Sequence, residues 1–121
     1  MKSFSFVLAG LMLSAASVYA AETLDAEGVK KLITGNTVHG LAPNGNKQKS
    51  YFSPDGKTYR QVGGQILEGT WSVNADGTQC VDGMPGGCAT IVRNDDGTYD
   101  RVTASGGIRL KWTSIVNGKD F

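Results

Sequence analysis

Histidine, cysteine and long apolar segments are scarce in this chain of 121 residues. It has one histidine, two cysteines and three prolines. Beyond the first twenty residues, no apolar run approaches the roughly 20 residues that a membrane-spanning helix needs. A structural zinc site usually takes four cysteine or histidine ligands, more than the chain can supply. We therefore predict no membrane span, no metal site and no cofactor.

The motifs of common catalytic sites are also absent. The chain has no G-x-S-x-G nucleophile elbow, no H-E-x-x-H helix and no glycine loop that cradles phosphate at a helix start. Its carboxylates cluster in turns, whereas a catalytic acid or base needs an environment that perturbs its pKa. His39 has no Asp-His or Cys-His spacing partner, which favours a structural or surface role. The sequence indicates a protein that is not an enzyme.

Neither sign of charge is in excess. The chain has 12 basic and 11 acidic residues, and loss of Lys2 with the first twenty residues leaves eleven of each. Proteins that bind nucleic acid or anionic membranes usually carry a clear basic excess. We therefore expect an unidentified protein or small molecule as the partner, no nucleic acid, and a monomeric chain.

The first twenty residues predict a signal peptide. Lys2 provides a short basic start, residues 4–16 are mainly apolar, and Val18-Tyr19-Ala20 places small residues where a signal peptidase cleaves. Cleavage after Ala20 would leave residues 21–121 as a single β-rich domain. We expect this domain to be periplasmic or secreted.

The two cysteines are Cys80 and Cys88. In an exported chain, a pair at this spacing is expected to form a disulfide. The enclosed loop would lose little entropy on binding, and Met84 near its tip would provide an adaptable apolar contact. This loop is our first candidate for a binding element, although a merely cross-linked hairpin is the simpler interpretation.

One short helix is predicted at the start of the mature chain. Asp25 is placed to cap it, and Leu24 and Val29 have the spacing of a hydrophobic staple. Val29 and Ile33 would share one face, and Gly35 would end the helix after about two turns.

From residue 36 onward, turn signals recur about every ten residues. Asn-Gly, Asp-Gly and Gly-Gly pairs separate runs rich in aromatic, β-branched and threonine residues. We expect type I′ turns at the Asp-Gly and Asn-Gly pairs, since these residues tolerate positive φ. The runs predict eight strands: 37–41, 48–52, 57–62, 66–73, 78–81, 88–92, 98–103 and 108–116.

These strands predict a mainly β fold, an antiparallel up-and-down meander of about eight short strands. Such a meander can curl into a small barrel or a half-barrel, with the helix covering an end or an edge. Alternation in the last strand places Leu110 and Trp112 on one face and Arg109 and Lys111 on the other. Trp71 and Trp112 are the candidates for the centre of the core.

A second candidate binding surface consists of aromatic and basic residues on the strands. Tyr59, Arg60, Arg109 and Lys111, together with Arg101, could form a polar recognition face on the outside of the sheet. Aromatic and arginine residues are enriched at contacts, but solvated sheet faces commonly have this composition as well.

Three segments resemble small exported proteobacterial proteins of unknown function. They are Gly35-Asn36-Thr37-Val38, the Asp55-Gly56 turn, and Gly69-Thr70-Trp71-Ser72-Val73 followed by Asp76-Gly77 and the two cysteines. The likeness covers most of residues 24–92. It implies a leading helix, a Gly-Thr-Trp strand, a cysteine pair and a periplasmic setting, and it transfers no catalytic or binding residue.

Three functions follow as hypotheses. The first is an exported, non-enzymatic binding or interaction module. The second is an inhibitor of a secreted hydrolase such as a protease or lysozyme, which would insert the Cys80–Cys88 loop or the mature N-terminus into an active site. The third is a carrier of a small apolar ligand, which requires a cavity beside Trp71, Trp112 and Leu110.

Overall fold

The structure, a computed structural model, describes residues 21–121, and the predicted signal peptide at 1–20 lies outside the described residues. It contains one helix and nine strands within that range. In chain order they are β1 (Glu22–Thr23), α1 (Ala26–Ile33), β2 (Asn36–Leu41), β3 (Lys47–Phe52), β4 (Lys57–Val62), β5 (Gln65–Val73), β6 (Gln79–Asp82), β7 (Gly87–Arg93), β8 (Tyr99–Val102) and β9 (Ile108–Asn117).

Strands β2 to β9 form a closed antiparallel barrel. Each pairs with the next along the chain, and β9 returns to pair with β2, where Trp112 lies opposite Gly40 and Asn117 opposite Asn36. The predicted mainly β meander of eight strands is confirmed, and of the two predicted forms the closed barrel is the observed one. Closure leaves no unpaired edge in the meander.

Strand β1 was not predicted from the sequence. It pairs with the second half of β7, with Glu22 opposite Arg93 and Thr23 opposite Val92. Two residues are too few to show the alternation by which a strand is recognised. Its position depends on β7, which lies about seventy residues further along the chain.

The turns differ from the expected type I′ geometry. Glycine alone has positive φ in the described residues, for example Gly77 at 92° and Gly97 at 88°. In the turn at 94–98, Gly97 N–H donates to Asn94 O, and Asn94 N–H donates to Thr98 O. This is a type I turn followed by a glycine bulge. The Asp96 carboxylate accepts from Thr98 N–H at 3.0 Å, which stabilises the turn with aspartate at negative φ.

Helix α1 closes one end of the barrel. Asp25 Oδ1 accepts from Gly28 N–H at 2.8 Å, which confirms the predicted cap. Leu24, Val29 and Ile33 are buried in the same apolar cluster as the barrel side chains. The helix contacts both β2 and β5, so it crosses the end at which the 53–57, 74–78 and 94–98 turns lie.

Trp112 lies at the centre of the core, as predicted, and is only 2% exposed. Phe52 packs against it with ring centroids 6.4 Å apart, and Phe52 also meets Trp71 edge to face at 5.5 Å. Trp71 is partly buried, and its indole N–H donates to Ser53 O at 2.9 Å. Trp71 therefore seals the helix end of the barrel rather than occupying its middle.

Candidate functional site

A cavity of about 390 Å³ occupies the end of the barrel opposite the helix, and it opens to solvent. Its volume falls within the roughly 300–1,000 Å³ typical of small-molecule sites. The walls combine apolar and polar side chains. The lining residues are Ala42, Gln48, Ser50, Phe52, Arg60, Gln79, Val81, Pro85, Gly86, Arg101, Arg109, Leu110 and Trp112.

Arg101 is the most buried charged residue of the cavity, at 5% exposed. Its Nε donates to Gln79 Oε1 at 2.9 Å, and its Nη2 donates to Gln79 O at 3.0 Å and to Gly87 O at 2.7 Å. Nη1 donates to Gly86 O at 3.0 Å. All four acceptors are neutral, so the guanidinium is hydrogen-bonded without a counter-charge.

Arg60 and Arg109 reach the same loop from two other strands. Arg60 Nη1 donates to Pro85 O at 2.6 Å, and its Nε contacts Ser50 Oγ at 3.4 Å. Arg109 Nη1 donates to Gly86 O, the carbonyl that also accepts from Arg101. Three guanidinium groups therefore converge on the backbone carbonyls of residues 85–87.

The three arginines carry positive charge that nothing nearby neutralises. No aspartate or glutamate lines the cavity, and within residues 21–121 none of the three forms an ion pair. Burial, with repulsion from Arg109 and Arg60, lowers the pKa of Arg101 from its ordinary value to about 10. Burial also lowers the pKa of Arg60. Both pKa values are lowered because the charged form of each arginine is less stable in the folded protein than in water.

Gln79 presents an unused donor in this region. The residue is fully buried, at 0% exposed, and its Oε1 is taken by Arg101. That bond orients the amide and leaves Nε2 without an acceptor among the described residues. A buried donor without a partner costs roughly 1–3 kcal/mol, so such groups are uncommon in folded proteins.

The cross-linked loop covers one side of the cavity. The predicted disulfide between Cys80 and Cys88 is present and joins directly opposed residues of β6 and β7. Met84 does not project from the loop tip. It packs against Gly69 of β5, where an added Cβ would lie 3.2 Å from the Met84 methyl group and would collide with Asp82 O. The loop is thus packed onto the barrel, with Met84 as its anchor.

The structure divides the predicted recognition face between two sides of the sheet. Arg60 and Arg109 line the cavity with Arg101, whereas Tyr59 and Lys111 lie outside it. Lys119 Nζ is 4.9 Å from the centre of the Tyr59 ring, and Lys111 Nζ is 3.3 Å from an Asp100 carboxylate oxygen. The expectation of one outward face holding all of these residues is therefore corrected.

Two causes explain the inward arginines. Arg60 and Arg101 occupy the inward register of β4 and β8, in which Arg60 lies opposite the buried Ser50 and Arg101 opposite the buried Ile91. Arg109 lies in a β-bulge between Ile108 and Leu110. A bulge changes the direction of a side chain, and here it brings Arg109 to the cavity rim.

A second hollow, of about 440 Å³, lies beside His39, Lys47 and Lys49. Two of its three ionisable groups have a partner, and the third, Lys47, is exposed and forms no ion pair within residues 21–121. His39 Nε2 is 2.9 Å from Asp120 Oδ2, and Lys49 Nζ is 3.8 Å from Asp120 Oδ1. The hollow is the larger of the two, but it lacks the buried, unneutralised donors of the barrel cavity, which is therefore the stronger candidate site.

The lining of the barrel cavity is suited to hydrogen bonding and to apolar contact. Its lining offers hydrogen-bond donors and aromatic surface, with no carboxylate, histidine or thiol to act as base or nucleophile. Elsewhere in residues 21–121, no group of three or more histidine, cysteine or acidic side chains is placed to hold a metal ion. The one described helix is too short to cross a membrane.

Comparisons with protein-family models, with curated proteins and with solved structures find no match for this chain.

Proposed function

We propose that the protein is an exported, non-enzymatic binding module that takes up a small molecule in the open end of its barrel. The observation that carries this proposal is the cavity of about 390 Å³, closed below by Phe52 and Trp112 and bordered by donors with unused capacity. A concave site with aromatic walls and a few convergent polar groups is the usual form of a small-molecule site.

The contacts of the Cys80–Cys88 loop favour a small ligand over insertion into a hydrolase. An inhibitory loop must project from the body of the protein and present its backbone to the enzyme. Here the carbonyls of Pro85 and Gly86 are engaged by arginines, and Met84 is packed against β5. A loop held in this way borders the cavity and is not free to enter a cleft.

Export is part of the same proposal and has separate support. The leader at residues 1–20 has the sequence pattern of a signal peptide, and the Cys80–Cys88 disulfide is of the kind that persists in oxidising compartments. A periplasmic or secreted module would meet small molecules that cross the cell envelope.

The test uses two fluorescent dyes that share one aromatic framework. Anilinonaphthalene sulfonate (ANS) carries a sulfonate, and N-phenylnaphthylamine (NPN) is the same framework without it. We expect at least one dye to bind saturably at one site per chain. Binding should quench Trp112, which is buried and lines the cavity.

Blocking the cavity provides the control for location. Ala42 lines the mouth, and Ala42→Trp should fill it and abolish dye binding. Ala104 lies in the 103–107 turn at the same end but outside the lining, so Ala104→Trp should leave binding unchanged. If neither dye saturates, or if both variants behave alike, the proposed site is wrong.

A further inference from the structure

Resting on the proposed function, we infer that the cavity is specific for a small organic anion. Arg60 and Arg109 would bind its oxyanion group, and its apolar part would pack on Leu110 and on the floor formed by Phe52 and Trp112. Three features of the cavity indicate such a ligand: unused donors, an excess of positive charge, and the apolar surface beside them.

The unused donors that face the cavity belong to Arg60 and Arg109. A guanidinium has five N–H groups in a planar fork that matches carboxylate and sulfonate oxygens. Arg60 uses Nε and Nη1, and Nη2 has no acceptor within residues 21–121. Arg109 uses only one N–H of Nη1. Both residues can therefore bind an oxyanion without giving up their bonds to the loop.

Arg101 has a different part, that of a positioning residue. Its four hydrogen bonds to Gln79, Gly86 and Gly87 consume most of its capacity. They hold the buried Gln79 side chain in place, and they put a third positive charge behind the site.

The charge excess is local. The mature chain has equal numbers of acidic and basic residues, and the lysine and arginine ion pairs of the described residues lie outside this cavity. Three arginines without a carboxylate therefore indicate a site arranged for a negative ligand. Because the guanidinium groups of Arg60 and Arg101 are already partly desolvated and all three are held by hydrogen bonds to the loop, an incoming anion meets donors that need little reorganisation.

The apolar surface beside the donors specifies an organic anion. Inorganic phosphate or sulfate would contact only the polar side of the cavity, whereas an aromatic or aliphatic body would also cover the half-buried Leu110 and the floor formed by Phe52 and Trp112. Together, the guanidinium fork and the aromatic walls describe a small amphiphile with one anionic end.

The experiment compares ANS with NPN on the full mature protein. We expect wild type to bind ANS at least about tenfold more tightly than NPN, because a charge-assisted hydrogen bond contributes about one order of magnitude in affinity. Arg60→Gln and Arg109→Gln should each weaken ANS binding by about tenfold and leave NPN binding within about twofold. Added salt should weaken only ANS.

Arg93→Gln is the matched control. Arg93 is exposed, pairs with Glu22 on β1 and lies outside the cavity, so this variant removes the same charge without touching the site. It should bind both dyes as wild type does. Equal affinity of the wild type for ANS and NPN would overturn the inference, as would unchanged ANS binding in Arg60→Gln and Arg109→Gln. Tight NPN binding abolished by Ala42→Trp would then leave the small-molecule function standing.

Discussion

Replacing Arg101 by methionine would remove two opposing contributions to stability. One is the cost of burying the charge, and the other is the gain from the hydrogen bonds of the guanidinium group. Burial is the main cause that lowers the pKa of Arg101 to about 10, and this shift corresponds to a cost of about 3 kcal/mol for holding the charge in the fold. Methionine replaces the aliphatic part of the arginine side chain and would remove that cost. The variant would also lose four hydrogen bonds from a charged donor, each contributing roughly 1.5–3 kcal/mol.

The hydrogen bonds therefore outweigh the desolvation cost. Arg101→Met should be less stable by about 3 kcal/mol or more, since Gln79 Oε1, Gln79 O and Gly87 O would lose the donor that Arg101 provides. For a domain of this size, the corresponding fall in Tm is on the order of 10–20 °C. Urea unfolding followed by Trp112 fluorescence would measure the difference.

Arg109→Met is the comparison variant, since Arg109 is exposed and makes a single hydrogen bond. Its stability should stay within about 0.5 kcal/mol of wild type, as is usual for exposed positions. An Arg101→Met variant as stable as wild type would refute the reasoning. The buried charge would then be an uncompensated cost, and the loop carbonyls would need no donor.

Three further predictions concern stability. Cys80→Ser with Cys88→Ser should lower the free energy of unfolding by about 2–3 kcal/mol in denaturant titration, from the loop-closure entropy of a separation of eight residues; an unchanged midpoint would contradict this. Gly69→Ala would press a Cβ against a backbone carbonyl and should unfold at lower temperature, whereas Gly64→Ala, with open space around it, should not. Hydrogen bonds from the Thr98 hydroxyl and N–H lower the pKa of the Asp96 carboxyl below its ordinary value of 3.8. The ionised carboxylate therefore stabilises the fold above pH 3.8, and this stabilisation is lost as the pH falls through the lower pKa of the folded state. In Asp96→Asn, the free energy of unfolding should therefore fall less steeply as the pH is lowered below 3.8. The same pH dependence in this variant and in wild type would contradict the assignment.

Binding of an anion should also raise the stability of the protein. Its arginines are held by carbonyls of residues 85–87, which supply partial rather than full negative charge. A bound anion would add the missing charge without breaking those bonds. Ligand binding should accordingly stabilise the fold by mass action, and the increase in Tm should grow with ligand concentration.

The helix, the strands and the disulfide could be predicted because they depend on local chemistry. Asp25 caps the helix from three residues away, and glycines in the turns fix where strands end. Cys80 and Cys88 lie on strands joined by one short loop, so hairpin pairing brings them together. The type I′ expectation was wrong because aspartate side chains stabilise a type I turn, in which only the following glycine takes positive φ.

The alternation of side chains along the strands contained one indication that Arg60 and Arg101 point inward. Arg60 shares a strand face with Thr58 and Val62, and Arg101 shares one with Tyr99, so both have apolar or β-branched neighbours on that face. Arginine is rarely buried without a carboxylate, so the sequence alone favoured an outward position for both residues. The partners that make burial tolerable here are loop carbonyls 14–25 residues away.

The sequence by itself determined a disulfide-linked meander of eight strands with a capping helix, because turn residues, alternation and caps act over a few positions. Only the tertiary structure decided the site. Closure between β9 and β2 created an interior, a bulge turned Arg109 toward its mouth, and register placed Gln79 beside Arg101. These are relations between residues far apart in the chain, so they exist only once the barrel has closed.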